Sequence, residues 1–95
     1  MKLGDHIKAA TKMPDADFWM VRRSSEDQVG RPVKEYNPEY IGIKVTSDSI
    51  DPAYLFYLMQ HLWMNKVFAR LSSGTTRLVN IKVSDVTGIP IQLTK

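Results

Sequence analysis

Hydrophobic and polar residues alternate most regularly between Tyr40 and Val45, where Ile41, Ile43 and Val45 fall on one side and Tyr40, Gly42 and Lys44 on the other. A period of two marks a strand with one buried face, and it predicts a central strand here. Phe18 to Arg23 is rich in aromatic and β-branched residues and sets Phe18, Met20 and Arg22 against Trp19, Val21 and Arg23. That fits a second strand, with its apolar start in the core and its arginine pair at the rim. A short strand is expected over Val33 to Tyr36. Ser24 to Pro32 reads as a loop in which Gly30 and Pro32 supply unusual backbone angles, and Asn37-Pro38-Glu39 reads as a turn. Strands joined in this way are most simply antiparallel.

Helical spacing shows in two places. Leu3, Ile7 and Ala10, with Lys8 and Lys12, predict a short amphipathic helix over Met1 to Met13, ended by Pro14. Asp51-Pro52 is a strong helix start, since Asp accepts free N–H groups of the first turn and Pro at the first helical position loses no hydrogen bond. From Ala53 to Leu71 one stripe carries Leu55, Leu58, Met59 and Leu62, and another carries Phe56, Trp63 and Val67. A straight helix that apolar would need burial all round, so a break is expected near Gln60 to Trp63. Gly74 is placed to end the second half in a left-handed conformation. Leu78 to Ile81 is expected to extend, Ser84 to cap a single short turn before Gly88, and Ile89 to Leu93 to form a final strand that Pro90 restricts to an edge.

The fold class that follows is α+β: a small mixed or antiparallel sheet packed against a kinked helix or helical hairpin. A chain of 95 residues encloses one hydrophobic core, so a single domain over 1–95 is expected. Without cysteine there is no disulfide framework, thiol catalysis or thiolate zinc site. No apolar run reaches the roughly 18 residues of a spanning helix, and the amino terminus has no apolar secretory segment, so the expected location is the cytoplasm.

Charge is unevenly placed. Residues 1–51 hold eight Lys and Arg against nine Asp and Glu, whereas residues 52–95 hold Lys66, Arg70, Arg77, Lys82 and Lys95 against Asp85 alone. The carboxyl half is therefore basic, which suits a surface facing phosphate and equally suits a solvated face with no ligand.

Several pieces stand in a telling order: Ile50-Asp51-Pro52-Ala53-Tyr54-Leu55-Phe56-Tyr57-Leu58, then Leu71-Ser72-Ser73-Gly74-Thr75-Thr76, then Asn80-Ile81 and Ile89-Pro90-Ile91. Together they resemble the carboxyl half of a target recognition domain from the specificity subunits of type I restriction-modification enzymes. Lys2-Leu3-Gly4-Asp5 resembles the start of such domains, and Asp17-Phe18 to Arg23 with Gly30 resembles their strand and following glycine loop. In that family the domain holds one half of a DNA target, while separate subunits bind S-adenosylmethionine and methylate or cut. The resemblance thus implies a non-catalytic module that binds duplex DNA and carries no cofactor or metal of its own. This chain is much shorter than a usual recognition domain, having lost most of the sequence-reading insert between the first helix and the Phe18 strand, and it lacks the long helices that space two such domains and dock the methylating subunits. So short a module would sit naturally in a mobile genetic element.

The residues best suited to DNA surround Gly74. Ser72, Ser73, Thr75 and Thr76 offer hydroxyls and the helix end a flexible backbone, while Arg70 and Arg77 bracket them, a set suited to phosphate oxygens and guanine edges. Arg22, Arg23, Arg31 and Lys34 form a second candidate group. The same Ser-Ser-Gly-Thr-Thr composition also makes a plain polar turn. An alternative function is a protein-interaction module that binds and modulates a DNA methyltransferase or restriction subunit, through apolar surface that a small domain leaves exposed; self-association is a milder form of it. Asn37-Pro38-Glu39-Tyr40 is near the Asn-Pro-Pro-Tyr motif of adenine methyltransferases, but Glu stands in place of the second Pro and no glycine-rich cofactor loop follows a strand. His6 and His61 have no carboxylate partner at metal spacing, and Asp15, Asp17, Glu26 and Asp27 read as solvated loop charges.

Overall fold

A computed structural model of the chain describes residues 2–74 and 77–90. Its main sheet has four strands: β1 (Ile7–Thr11), β2 (Phe18–Met20), β4 (Pro32–Val33) and β5 (Ile41–Val45), in the order β1-β5-β2-β4, every pair antiparallel. The alternating Tyr40 to Val45 segment is indeed interior. Ile43 stands opposite Ala9 on one side and Phe18 on the other, so both edges of β5 are used. Val33 to Tyr36 contributes only its first residue to β4, which begins one position earlier at Pro32.

The amino-terminal helix is not formed. Leu3–Asp5 makes a single 3-10 turn, in which the Asp5 carboxylate accepts the Lys2 N–H at 3.1 Å, and Ile7 then starts a strand. Ile7, Ala9 and Thr11 satisfy a period of two as well as Leu3, Ile7 and Ala10 satisfy helical spacing, so the local pattern is ambiguous. Pairing decides it. β5 would otherwise present an open edge, and the ladder with β1 runs over five residue pairs and continues through the Thr46 N–H to the His6 carbonyl at 2.9 Å. Lys12 turns the chain with a positive φ of 58°, and Met13 to Ala16 crosses over Gly42, where the Met13 carbonyl accepts the Trp19 indole N–H at 2.8 Å. Trp19 is thereby buried on the face that would otherwise meet solvent.

Phe18 to Arg23 does not run as one strand. After Met20 the Val21 N–H donates to Arg31 O and the Val21 carbonyl accepts from the Gly30 N–H, which draws the chain out of the main sheet. It re-enters a second, smaller sheet as β3 (Arg23–Ser24). Gly30 has φ +84°, and a Cβ there would lie 2.4 Å from the Phe68 ring, so the loop turn and the seating of a core phenylalanine both require glycine.

Helix α1 (Pro52–Met64) starts at Asp51, whose carboxylate accepts the Ala53 N–H at 2.8 Å. It lays Leu55 and Met59 on the sheet, and Phe56 meets Phe18 edge to face at 5.4 Å. The break comes at Asn65 and Lys66, later than Gln60 to Trp63, with Lys66 in the left-handed region at φ 61°. A short α2 (Val67–Leu71) then turns Phe68 into the core. The earlier break is unnecessary because Tyr54, Tyr57 and Met64 remain on the outer face instead of seeking burial. Gly74 does not end α2. Ser72 does so, its hydroxyl donating to the Ala69 carbonyl at 2.6 Å, while Gly74 belongs to a strand.

That strand, β6 (Ser73–Gly74), pairs with β7 (Val79–Asn80), which pairs in turn with β3. The chain then forms α3 (Val83–Thr87), capped by Lys82 and not by Ser84: the Asp85 carboxylate accepts the Lys82 N–H at 2.8 Å, so Ser84 lies inside the first turn. Pro90 bridges Lys2, and the Leu3 N–H donates to Ile89 O at 2.8 Å. The rest of the expected Ile89 to Leu93 strand lies outside the described residues. One continuous core gathers Leu3 and Ile7, the inward faces of β2 and β5, Leu55 and Met59 of α1, Phe68 of α2, and Val79, Ile81 and Val86. Among the described residues no helix is long and apolar enough to cross a membrane.

Candidate nucleic-acid interface

The small sheet β3-β7-β6 has only two rows of residues. In one, Ser24, Val79 and Gly74 stand opposite one another; in the other, Arg23, Asn80 and Ser73. Residues paired across a sheet share a face, and successive residues along a strand take opposite faces. Val79 is buried against the core, so its row faces inward, and the row Arg23-Asn80-Ser73 faces outward.

Local chemistry builds this row. The Ser72 hydroxyl closes α2 and sends the chain straight into β6. Gly74 holds φ +142°, and a Cβ there would come within 2.5 Å of the Leu78 carbonyl, so the hairpin closes this tightly only around glycine. On the far side the Ile81 N–H donates to Arg22 O at 2.9 Å and extends the β3-β7 ladder, which holds Arg23 in register with Asn80.

The expected site residues are thus partly gathered and partly scattered. Arg23 and Ser73, fifty positions apart in the chain, lie two strands apart, a separation of about 10 Å at ordinary strand spacing. Arg70 is exposed in the last turn of α2, and Arg77 is exposed in the connection between β6 and β7. Thr75 and Thr76 lie outside the described residues. Among the described residues no ion pair holds Arg23, Arg70 or Arg77.

The remaining three cations of the second group are engaged elsewhere. Arg22 pairs with Glu39 at 3.3 Å, and its Nε donates to the Glu39 carbonyl at 3.1 Å. Arg31 lies over the Trp63 ring at 5.8 Å and donates to Gln28 Oε1 at 3.3 Å. Lys34 sits over the Phe56 ring at 5.0 Å. Each contact is partly solvated and individually modest, but together they direct these side chains to their own neighbours.

Asn80 belongs to the row although the sequence motifs do not point to it as a contact residue. The available signal is a polar side chain between Val79 and Ile81, which in a strand of period two must face away from the core. No chemistry gathers around the other motifs. Asn37 forms a turn with its side chain accepting the Glu39 N–H at 2.8 Å, and the Asp17 carboxylate, instead of being merely solvated, accepts the Val45 N–H at 2.8 Å. His61 is exposed on α1 with Nε2 3.0 Å from Asn65 Nδ2.

No protein-family model matches the chain, and no curated protein or solved structure matches it.

Proposed function

We propose that this chain is a non-catalytic DNA-binding module of the target-recognition type, acting on duplex DNA in the cytoplasm. The observation that carries the reading is the outward row Arg23-Asn80-Ser73, bordered in sequence by Arg70 and Arg77, with no carboxylate among the described residues paired to any of the three arginines. A guanidinium, a carboxamide and a hydroxyl are donors matched to phosphate oxygens and base edges, and their place on one sheet face lets a polyanion approach all of them at once.

Titration of a duplex at several salt concentrations tests it. Replacing Arg70 and Arg77 together by alanine is expected to weaken binding and to lower the magnitude of the salt slope by about 0.9 for each phosphate no longer neutralised. An unchanged affinity and slope would remove these residues from the interface.

A further inference from the structure

Helix α1 has a second face that the core does not cover; among the described residues the ring and hydrogen-bond contacts of its side chains stay within the same helix and its cap, Tyr57 meeting the Phe56 ring edge to face at 5.8 Å and His61 lying beside Asn65. Tyr54, Tyr57, His61 and Met64 follow one another at steps of three, four and three, and so form a single stripe; Tyr54 is 58 %, Tyr57 64 % and Met64 68 % exposed. Between Asp51 and Lys66 the chain has no Asp, Glu, Lys or Arg, so these charges flank the helix only at its two ends, where the signs are opposite. An uncharged aromatic stripe repels neither itself nor its like, and it offers a polyanion nothing to hold.

We infer that this stripe joins two copies of the chain through an antiparallel pairing of α1 with α1. The spacing is self-complementary. Reversed on itself about position 59, the stripe sets Tyr54 against Met64 of the second copy and Tyr57 against His61 of the second copy, and a two-fold axis repeats both pairs. The same reversal brings the Asp51 end of one helix to the Lys66 end of the other, which a parallel arrangement would set like against like. Asp51 caps its helix through Oδ1, and among the described residues Oδ2 takes no hydrogen bond. Lys66 lies 3.9 Å from Asp27 with both side chains in solvent, a contact too weak to fix the ammonium. Because the helix has 13 residues and is about 20 Å long, the buried area falls below the roughly 800 Å² per partner of a standard interface. Association is therefore expected to be weak and transient, to be sought at about 10–100 μM and above.

Sedimentation of the free chain across that range reads the pairing, with Tyr57→Glu as the disrupting variant; Tyr57 is exposed, so well below that range, where both chains are monomeric, the variant's melting temperature should match that of the wild type. The wild type is expected to shift from monomer to dimer and the variant to remain monomeric. Orientation is read by disulfide trapping, which is clean because the chain has no cysteine of its own. Mixed Tyr54→Cys and Met64→Cys chains should cross-link to each other, and Tyr54→Cys alone should not. A wild type that stays monomeric, a Tyr57→Glu chain that still dimerises, or cross-linking of Tyr54→Cys alone as fast as the mixture would overturn the proposal. So would a DNA-methylating subunit that occupies the stripe of a chain which never self-associates.

Discussion

Arg23 and Asn80 are direct partners across the antiparallel pair β3-β7, and Ser73 is the partner of Asn80 on its other side. The relationship joins a residue that follows the Phe18 strand to both arms of the β6-β7 hairpin, some fifty positions later in the chain. Whatever approaches the small sheet from outside meets all three together.

The central position is the sharpest place to test this. Asn80→Asp keeps the size of the side chain and puts a negative charge between Arg23 and Ser73. Duplex affinity is expected to fall by about tenfold or more at low salt, near 1.4 kcal/mol, with a melting curve close to that of the wild type. Fluorescence anisotropy with a labelled duplex measures it; undiminished binding would show that the row is not the contact surface.

Arg22, Arg31 and Lys34 supply the contrast. Because their charges are held by Glu39, Trp63 and Phe56, replacing any one by alanine should change duplex affinity less than Arg23→Ala does. Arg22→Ala should also cost no more than about 1 kcal/mol of stability, since its ion pair is solvent-exposed. Side-by-side titrations and urea melts of the four variants give the comparison.

Gly74→Ala tests the hairpin. The new methyl would meet the Leu78 carbonyl at 2.5 Å in a backbone region that L residues rarely adopt. A loss of about 1–3 kcal/mol is expected, read as a lower denaturation midpoint at unchanged m-value. If the variant is as stable as the wild type, the β6-β7 turn is not built this way.

Asp51→Ala removes the cap of α1 while leaving every apolar contact of that helix in place. The expected cost is about 1 kcal/mol, a fall in melting temperature of roughly 4–8 °C for a domain of this size. Calorimetry checks it, and Asp51→Ser should recover most of the loss because a hydroxyl can accept the same N–H.

Much of the fold was legible where a few neighbouring residues settle the matter. Asp51-Pro52 starts a helix because the carboxylate and the missing N–H act within one turn. Ile41, Ile43 and Val45 make an interior strand because alternation leaves one apolar face, and Gly30 takes positive φ because the loop needs it. Other features depended on partners far along the chain. Ile7–Thr11 satisfies two periodicities, and only the edge of β5 selects the strand; α1 runs on to Met64 because its outer tyrosines can stay in solvent. The candidate site divides in the same way. That arginines and hydroxyls cluster around Gly74 is a property of the sequence by itself, but that Arg23 joins Ser73 across Asn80, while Arg22 turns to Glu39, was decided by the tertiary structure. Capping and alternation are local forces, whereas strand pairing couples residues whose separation in sequence carries no sign of their meeting.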